Sequence, residues 1–203
     1  MDKLAVRFVG THLAEEWKES TRKTTGFKDF TFSGTMSEGS EFNLGHTRFI
    51  AMYTPGHIND HYCLWEPDQK ILIGFDIDLS PFGPWYGDKE SDLEAFDLSI
   101  ERVKNIRAQT YISSHASPIQ KKYIKKRLNA YRSIIRKRDQ QIMEILGRKG
   151  GADLDKIVRA SPIYQNTADP ITLYGERNMI KEHLGKLLKG GIIIRRDNRY
   201  FLS

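Results

Sequence analysis

The 203-residue chain has one cysteine, so no internal disulfide can form. Cys63 lies in an apolar stretch and reads as a small buried thiol, which fits a protein kept in a reducing cytoplasm. Long apolar runs are also missing. None approaches the roughly 20 residues needed to span a bilayer, and no membrane partner is expected. The opening Met1-Asp2-Lys3-Leu4-Ala5-Val6-Arg7 lacks the apolar centre of a secretory signal. Acidic residues are absent from Lys121 to Arg138, a stretch that holds nine Lys or Arg.

That local gap belongs to a wider asymmetry. Residues 1–118 carry 12 Lys and Arg against 18 Asp and Glu, whereas residues 119–203 carry 20 against 8. Opposite charge in two segments argues for modules with different partners. The acidic half suits a catalytic or metal-holding body. The basic half is where an anionic partner would bind.

Hydrophobic spacing divides the chain further. Leu4, Phe8, Leu13 and Trp17 predict a helix over Asp2–Arg22. Short strands follow at Phe30–Phe32, Glu41–Leu44, Thr47–Tyr53, Tyr62–Trp65 and Ile71–Phe75, separated by turn residues, which argues for a mixed or antiparallel sheet. The loop Asp78–Asp88 holds Phe82, Trp85 and Tyr86 among prolines and glycines. It reads as ordered, covering a site or filling an interface, or else simply plugging a core edge. Ser91 and Glu94 resemble a capping box, with Leu93, Phe96, Ile100, Val103 and Ile106 on one helical face. A strand at Thr110–Ile112 comes next.

A long helix is predicted from Pro118 to Leu146, with Ile124, Leu128, Tyr131, Ile135, Ile142 and Ile145 inward. Its outer face carries Lys121, Lys122, Lys125, Lys126, Arg127, Arg136 and Arg138. These suit either a phosphate backbone or plain solvent. The remainder reads as a short helix from Asp153, a helix over Glu176–Leu188 stopped by Gly190-Gly191, and a hairpin turning at Asp197-Asn198. That order is a winged-helix outline.

Three potential metal ligands stand at strand ends. His57 follows Thr47–Tyr53 in the turn Thr54-Pro55-Gly56-His57-Ile58-Asn59-Asp60-His61, Asp76 follows Ile71–Phe75, and His115 follows Tyr111–Ser114. Each alone suits an ordinary turn. Together they converge if their strands end at one rim of a sheet, and histidine with carboxylate suits a zinc-type or iron-type centre.

Thr54-Pro55-Gly56-His57, Ile71-Leu72-Ile73-Gly74-Phe75-Asp76 and Ser114-His115-Ala116-Ser117-Pro118-Ile119 resemble the last three metal motifs of metallo-β-lactamase-fold hydrolases. The extended Thr54–His61 is similar to the subgroup with a C-terminal winged helix. The resemblance covers about residues 30–119 well and the tail more loosely. It implies an α/β (α+β) fold: the C-terminal half of an αββα sandwich over 1–119, a basic connecting helix over 120–147, and a small winged-helix domain over 148–203.

The resemblance makes His57 a ligand of one metal, Asp76 a bridging carboxylate and His115 a ligand of a second metal. Zinc, or iron or manganese, is the implied cofactor. His61, Asp60, Trp85 and Tyr86 are placed near the site. The implied chemistry is attack of metal-bound hydroxide on an ester, thioester or phosphodiester, with Asp76 holding or orienting that water.

The family's upstream His-x-His-x-Asp-His string has no counterpart, because His12 and His46 stand alone. The chain is therefore expected to be truncated or catalytically incomplete, completed by a missing N-terminal half or by pairing as a homodimer. The alternative is a non-catalytic module whose winged helix and basic helix bind nucleic acid or a protein. The substrate, small molecule or nucleic acid, is not specified by these motifs.

Overall fold

The computed structural model of the chain describes residues 11, 14–26, 31, 34–148, 150–166 and 169–203. α1 covers Ala14–Thr25, overlapping the expected first helix and running past its expected end at Arg22. Residues 2–10 lie outside the described residues, as do Phe30 and Phe32 of the first expected strand.

The main sheet has the order β1-β2-β3-β4-β5-β6 among the described residues. β1 (Glu41–Leu44), β2 (Thr47–Tyr53), β3 (Tyr62–Glu66) and β4 (Ile71–Phe75) form an antiparallel meander. α2 (Leu93–Lys104) then crosses over, and β5 (Thr110–Ser113) lies parallel to β4. β6 (Ile119–Gln120) pairs antiparallel with β5 and leads directly into α3 (Lys121–Leu146).

Side-chain alternation gives the sheet two different faces. Met52, Cys63, Leu72 and Tyr111 are buried on one, beneath Leu93, Phe96, Ile100 and Val103 of α2 and Ile124, Leu128 and Tyr131 of α3. On the other, Ala51, Leu64, Ile73 and Ile112 stand in one registered row, the last three half-buried. This is the layered layout expected from the sequence, a mixed α/β sheet flanked by helices with a smaller C-terminal helical and sheet unit.

That smaller unit contains β7 (Ala152–Asp153), α4 (Leu154–Ala160), α5 (Pro170–Lys189), β8 (Ile193–Arg196) and β9 (Arg199–Leu202), the strands ordered β7-β9-β8. Asp153 caps α4 by accepting the Lys156 N–H at 2.7 Å. Asp197 and Asn198 take φ of 45° and 61°, the two left-handed residues of a type I′ hairpin. The core continues from the main sheet through Ile135, Ile142 and Ile145 of α3 to Ile157, Met179, Ile180 and Leu184. No helix among the described residues is long and apolar enough to cross a membrane.

Two helix starts differ from expectation. Asp92, not Ser91, caps α2, accepting the Ala95 N–H at 2.9 Å. Ser91 instead donates to the His57 carbonyl at 2.7 Å. α5 begins at Pro170 rather than Glu176, because Asp169 accepts the N–H groups of Ile171 and Thr172. Pro170 opens the helix where its missing N–H leaves no bond unmade. Gly175 inside that helix allows close packing, since a Cβ there would lie 2.8 Å from the Tyr164 hydroxyl.

The turn after β2 is held as tightly as the core. Gly56 has φ +127°, and a Cβ on it would stand 2.3 Å from the backbone N and Cα of Phe96. Gly56→Ala is expected to lower the unfolding free energy by at least about 3 kcal/mol through backbone strain and overlap. Urea denaturation measures this, and a variant within about 0.5 kcal/mol of the parent would show that the turn is not packed this closely.

Candidate functional site

The three strand-end residues meet at one rim, where the C-terminal ends of β4 and β5 face the turn after β2. The turn is fixed first. Thr54 N–H donates to the His61 carbonyl at 3.0 Å and Gly56 N–H to the Ile58 carbonyl at 3.2 Å. Ser99 of α2 donates to the Pro55 carbonyl at 2.7 Å, and the Asp92 N–H to the Gly56 carbonyl at 3.0 Å. These bonds anchor His57 to the start of α2.

The Nδ1–H of His57 is directed at the Trp85 carbonyl, 2.9 Å away. With that nitrogen donating, the Nε2 lone pair is free, which is the tautomer a metal-ligating histidine needs. Nε2 stands 3.8 Å from one carboxylate oxygen of Asp76, and His115 Nε2 stands 3.5 Å from the other. Asp76 therefore sits between two imidazoles, offering one oxygen to each. The His57 side chain is 18% exposed, Asp76 36% and His115 66%, so the site opens toward His115.

Asp76 is aimed by an irregular strand end. The β4–β5 register shifts between Ile73 and Phe75, and Phe75 takes φ +45°. A left-handed non-glycine costs on the order of 1 kcal/mol and is held here by Ser114 N–H donating to the Phe75 carbonyl at 3.0 Å. His61 completes the hold. Its Nδ1 lies 3.0 Å from the Thr54 carbonyl, and its Nε2 accepts the Asp76 N–H at 3.3 Å. Burial pushes the His61 imidazole below its usual range. A neutral ring donating at Nδ1 and accepting at Nε2 satisfies both bonds, so His61 supports Asp76 from beside the site. Asp60 is exposed on the same turn.

The aromatic loop packs into the core and also lies against His57. Tyr86 is fully buried and fills a core edge, while the Trp85 ring lies 5.3 Å from the His57 ring. The loop is clamped by Arg138, which donates to the carbonyls of Phe82 and Pro84 at 2.6 and 2.5 Å and to the Tyr86 hydroxyl at 3.0 Å. Its guanidinium also lies over the Phe82 ring at 4.7 Å.

Arg138 is 3% exposed and therefore does not stand on the outer basic face where the charge pattern puts it. Its position, three residues after Ile135 and four before Ile142, lies on the inward stripe of α3. Arg127 is exposed and donates to the Leu79 carbonyl at 3.1 Å. Lys121, Lys122, Lys125, Lys126 and Arg136 are exposed.

Residues distant in sequence secure the same loop. Tyr164 accepts the Trp85 indole N–H at 2.6 Å. The Tyr86 hydroxyl donates to His183 Nε2 at 2.6 Å, and His183 Nδ1 donates to Asp139 at 2.7 Å. Lys186 reaches the other Asp139 oxygen at 2.5 Å. Burial lowers the His183 pKa. Burial alone would raise that of Asp139, yet the bonds from His183 and Lys186 hold it below the usual range. None of these partners carries a local sequence signal, because separations of 44 to 97 residues leave no periodicity to read.

The spacing of these side chains can be set against that of a metal centre. Two ligands of one zinc ion lie roughly 3.3 Å apart at ordinary bond lengths, close to the spacing of each histidine from Asp76. A catalytic zinc takes three protein donors, however. Each side of Asp76 has one imidazole and one carboxylate oxygen, and no group of three or more His, Cys, Asp or Glu among the described residues is gathered to hold an ion. The site these residues form is not closed.

No protein-family model matches the chain. Beta-lactamase-like protein 2 homolog of Caenorhabditis elegans is 23% identical over 185 residues, covering 91% of this chain and 58% of that protein. Hydroxyacylglutathione hydrolase of Francisella tularensis subsp. novicida (strain U112) is 50% identical over 40 residues, 19% of this chain and 16% of that protein.

Among solved structures, a metallo-beta-lactamase family protein of Thermus thermophilus superposes with a TM-score of 0.70 at 16% identity, over 98% of this chain and 70% of the other. A beta-lactamase domain protein of Burkholderia ambifaria gives 0.64 at 17%, over 83% and 51%. The chain has the metallo-β-lactamase fold. It spans 58% of the length of the worm relative and 16% of that of the bacterial hydrolase.

Two outcomes test this geometry. Arg138→Met leaves loop carbonyls without donors and is expected to cost about 2–5 kcal/mol and to shift Trp85 fluorescence. Unchanged stability and emission would show that the clamp is dispensable. His61 and His183 are both depressed in the folded state, so below their unfolded pKa of about 6.5 the unfolded chain binds more protons. Stability is accordingly full above that pH and falls from about pH 7 to 5. Denaturation at several pH values should show this slope, reduced in His183→Gln. A flat profile would contradict the buried neutral rings.

Proposed function

We propose that residues 1–203 carry one side of a metal-dependent hydrolase centre, with His57, Asp76 and His115 as its donors. The remaining donors come from polypeptide outside this stretch or from a second copy of the chain. The supporting observation is the placement of Asp76, whose two oxygens each face a separate imidazole while the Trp85 carbonyl holds the His57 lone pair ready. The fold and the resemblance of the three motifs favour zinc, iron or manganese, and hydrolysis of an ester, thioester or phosphodiester. Because the donors among the described residues do not close a site, we read that centre as incomplete without further donors. A homodimer is one means of completion, with the half-buried Leu64, Ile73 and Ile112 as the apolar surface to cover.

A second reading has its own support. Lys121, Lys122, Lys125 and Lys126 are exposed on α3, which suits a non-catalytic module that binds an anionic partner through the basic helix and a winged-helix-like tail. The division into 1–119, 120–147 and 148–203 belongs to these proposals.

Zinc titration by calorimetry tests the first reading. The 203-residue chain is expected to bind zinc at micromolar affinity or weaker, and Asp76→Asn to remove that binding because both donor pairs share its carboxylate. Added polypeptide bearing a His-x-His-x-Asp-His string should tighten it. Zinc binding that is unaffected by both Asp76→Asn and His57→Gln would overturn the assignment. Sedimentation at low micromolar concentration separates the two routes of completion: a monomer that gains affinity only with the added polypeptide excludes the homodimer.

A further inference from the structure

The parallel strands β4 and β5 have a second end. Asp76 and His115 follow them, while Lys70 and Gln109 precede them, on the order of 20 Å away along β4. At that far end lies a cleft of about 610 Å³ whose charged lining is Lys70, Lys104, Arg107, Lys121 and Lys125, with no carboxylate among its lining residues. Lys104 is held by Glu101 at 2.5 Å. Among the described residues, no ion pair engages Lys70, Arg107, Lys121 or Lys125, all four of them exposed.

These cations come from three separate segments: the β3–β4 turn, the end of α2 with its following loop, and the first turns of α3. Their convergence is tertiary rather than a run of sequence. It is also unfavourable for the isolated protein. Like charges repel, and Lys121 and Lys125 occupy the N-terminal turns of a 26-residue helix, where the helix dipole disfavours cations and no acidic residue offsets them. An anion in the cleft would relieve that repulsion.

The size and extent of the positive surface indicate which anion. The cleft is larger than one phosphate requires, and Lys122 and Lys126 continue the charge outward along the exposed surface of α3. A row of cations entering a concave site matches a chain of phosphates. We infer that this cleft is a docking site for the phosphate backbone of a nucleic-acid strand. The assignment is separate from the hydrolase reading, since none of its residues belongs to the His57–Asp76–His115 cluster, and it rests on the second reading, whose α3 lysines it shares.

Fluorescence anisotropy with a labelled single-stranded oligonucleotide of about 15 nucleotides, between about 50 and 200 mM salt, is the test. Two double variants neutralise the cleft from different segments: Lys70→Asn with Arg107→Gln, and Lys121→Gln with Lys125→Gln. Asn suits position 70, where φ is +59°. All four side chains are exposed, so the variants leave no buried group unpaired.

Each double variant is expected to weaken binding roughly tenfold and to reduce the slope of log affinity against log salt by about 1.4. Arg195→Gln with Arg196→Gln, on the C-terminal hairpin, should leave both unchanged. Parent-like affinity and slope in either cleft variant would overturn the proposal. So would equal weakening by the hairpin variant, which would place the strand on the tail. Displacement of the oligonucleotide by inorganic tripolyphosphate at matched phosphate concentration would replace a nucleic-acid strand with a small phosphate ligand.

Discussion

The hydrogen bond from His57 to the Trp85 carbonyl is the contact on which the rest of the site depends. It selects the tautomer of His57, and it exists only while the Phe82–Tyr86 loop keeps one shape. That shape has three supports from outside the loop: Arg138 in α3, Tyr164 in the segment before α5, and His183 in α5. Buried polar groups are stable only when their partners are complete, and Tyr86, His183, Asp139 and Lys186 complete one another in a chain. The C-terminal unit is thus mechanically part of the site. Removing it would free the loop before disturbing the sheet.

On the other side, Asp76 is held by its backbone rather than by its carboxylate. The His61 ring takes the Asp76 N–H, Tyr131 donates to the Asp76 carbonyl at 3.3 Å, and the bend at Phe75 sets the direction. Both carboxylate oxygens therefore remain available to the two imidazoles. Such an arrangement has little purpose as an ordinary salt bridge, because His115 is largely exposed and a surface pair of that kind contributes about 1 kcal/mol at most. It fixes the direction of the Asp76 carboxylate between the two rings.

Much of this is legible in the residues, and the departures have definite causes. The strands of the meander, the strand-end positions of His57, Asp76 and His115 and the Asp197-Asn198 turn can be read because period-two alternation and turn chemistry are local. Ser91 and Asp92 are residue types that cap equally well, and only the position of the His57 carbonyl decides between them. The start of α5 reads late because Tyr174-Gly175 looks like a loop, and the tight approach of Tyr164 that requires the glycine is invisible in sequence. The charge of Arg138 points to solvent, although its place on the inward stripe of α3 is the better guide. A buried arginine whose partners are backbone carbonyls leaves no complementary acid to find.

The charge asymmetry of the chain has a related resolution. Counting by sequence halves suggests an acidic body and a basic appendage, yet the basic cleft is built partly from Lys70, Lys104 and Arg107 of the acidic half. A strand–helix–strand unit with parallel strands has two unlike ends, and loops at each end gather side chains from distant positions. Here the C-terminal ends of β4 and β5 collect a carboxylate and two imidazoles, and the N-terminal ends contribute to a cluster of cations. One small unit thus separates a donor-rich rim from an anion-attracting rim by the length of its strands. α3 itself links the two rims, running from Lys121, whose N–H donates to the Gln109 carbonyl, to Tyr131, whose hydroxyl donates to the Asp76 carbonyl.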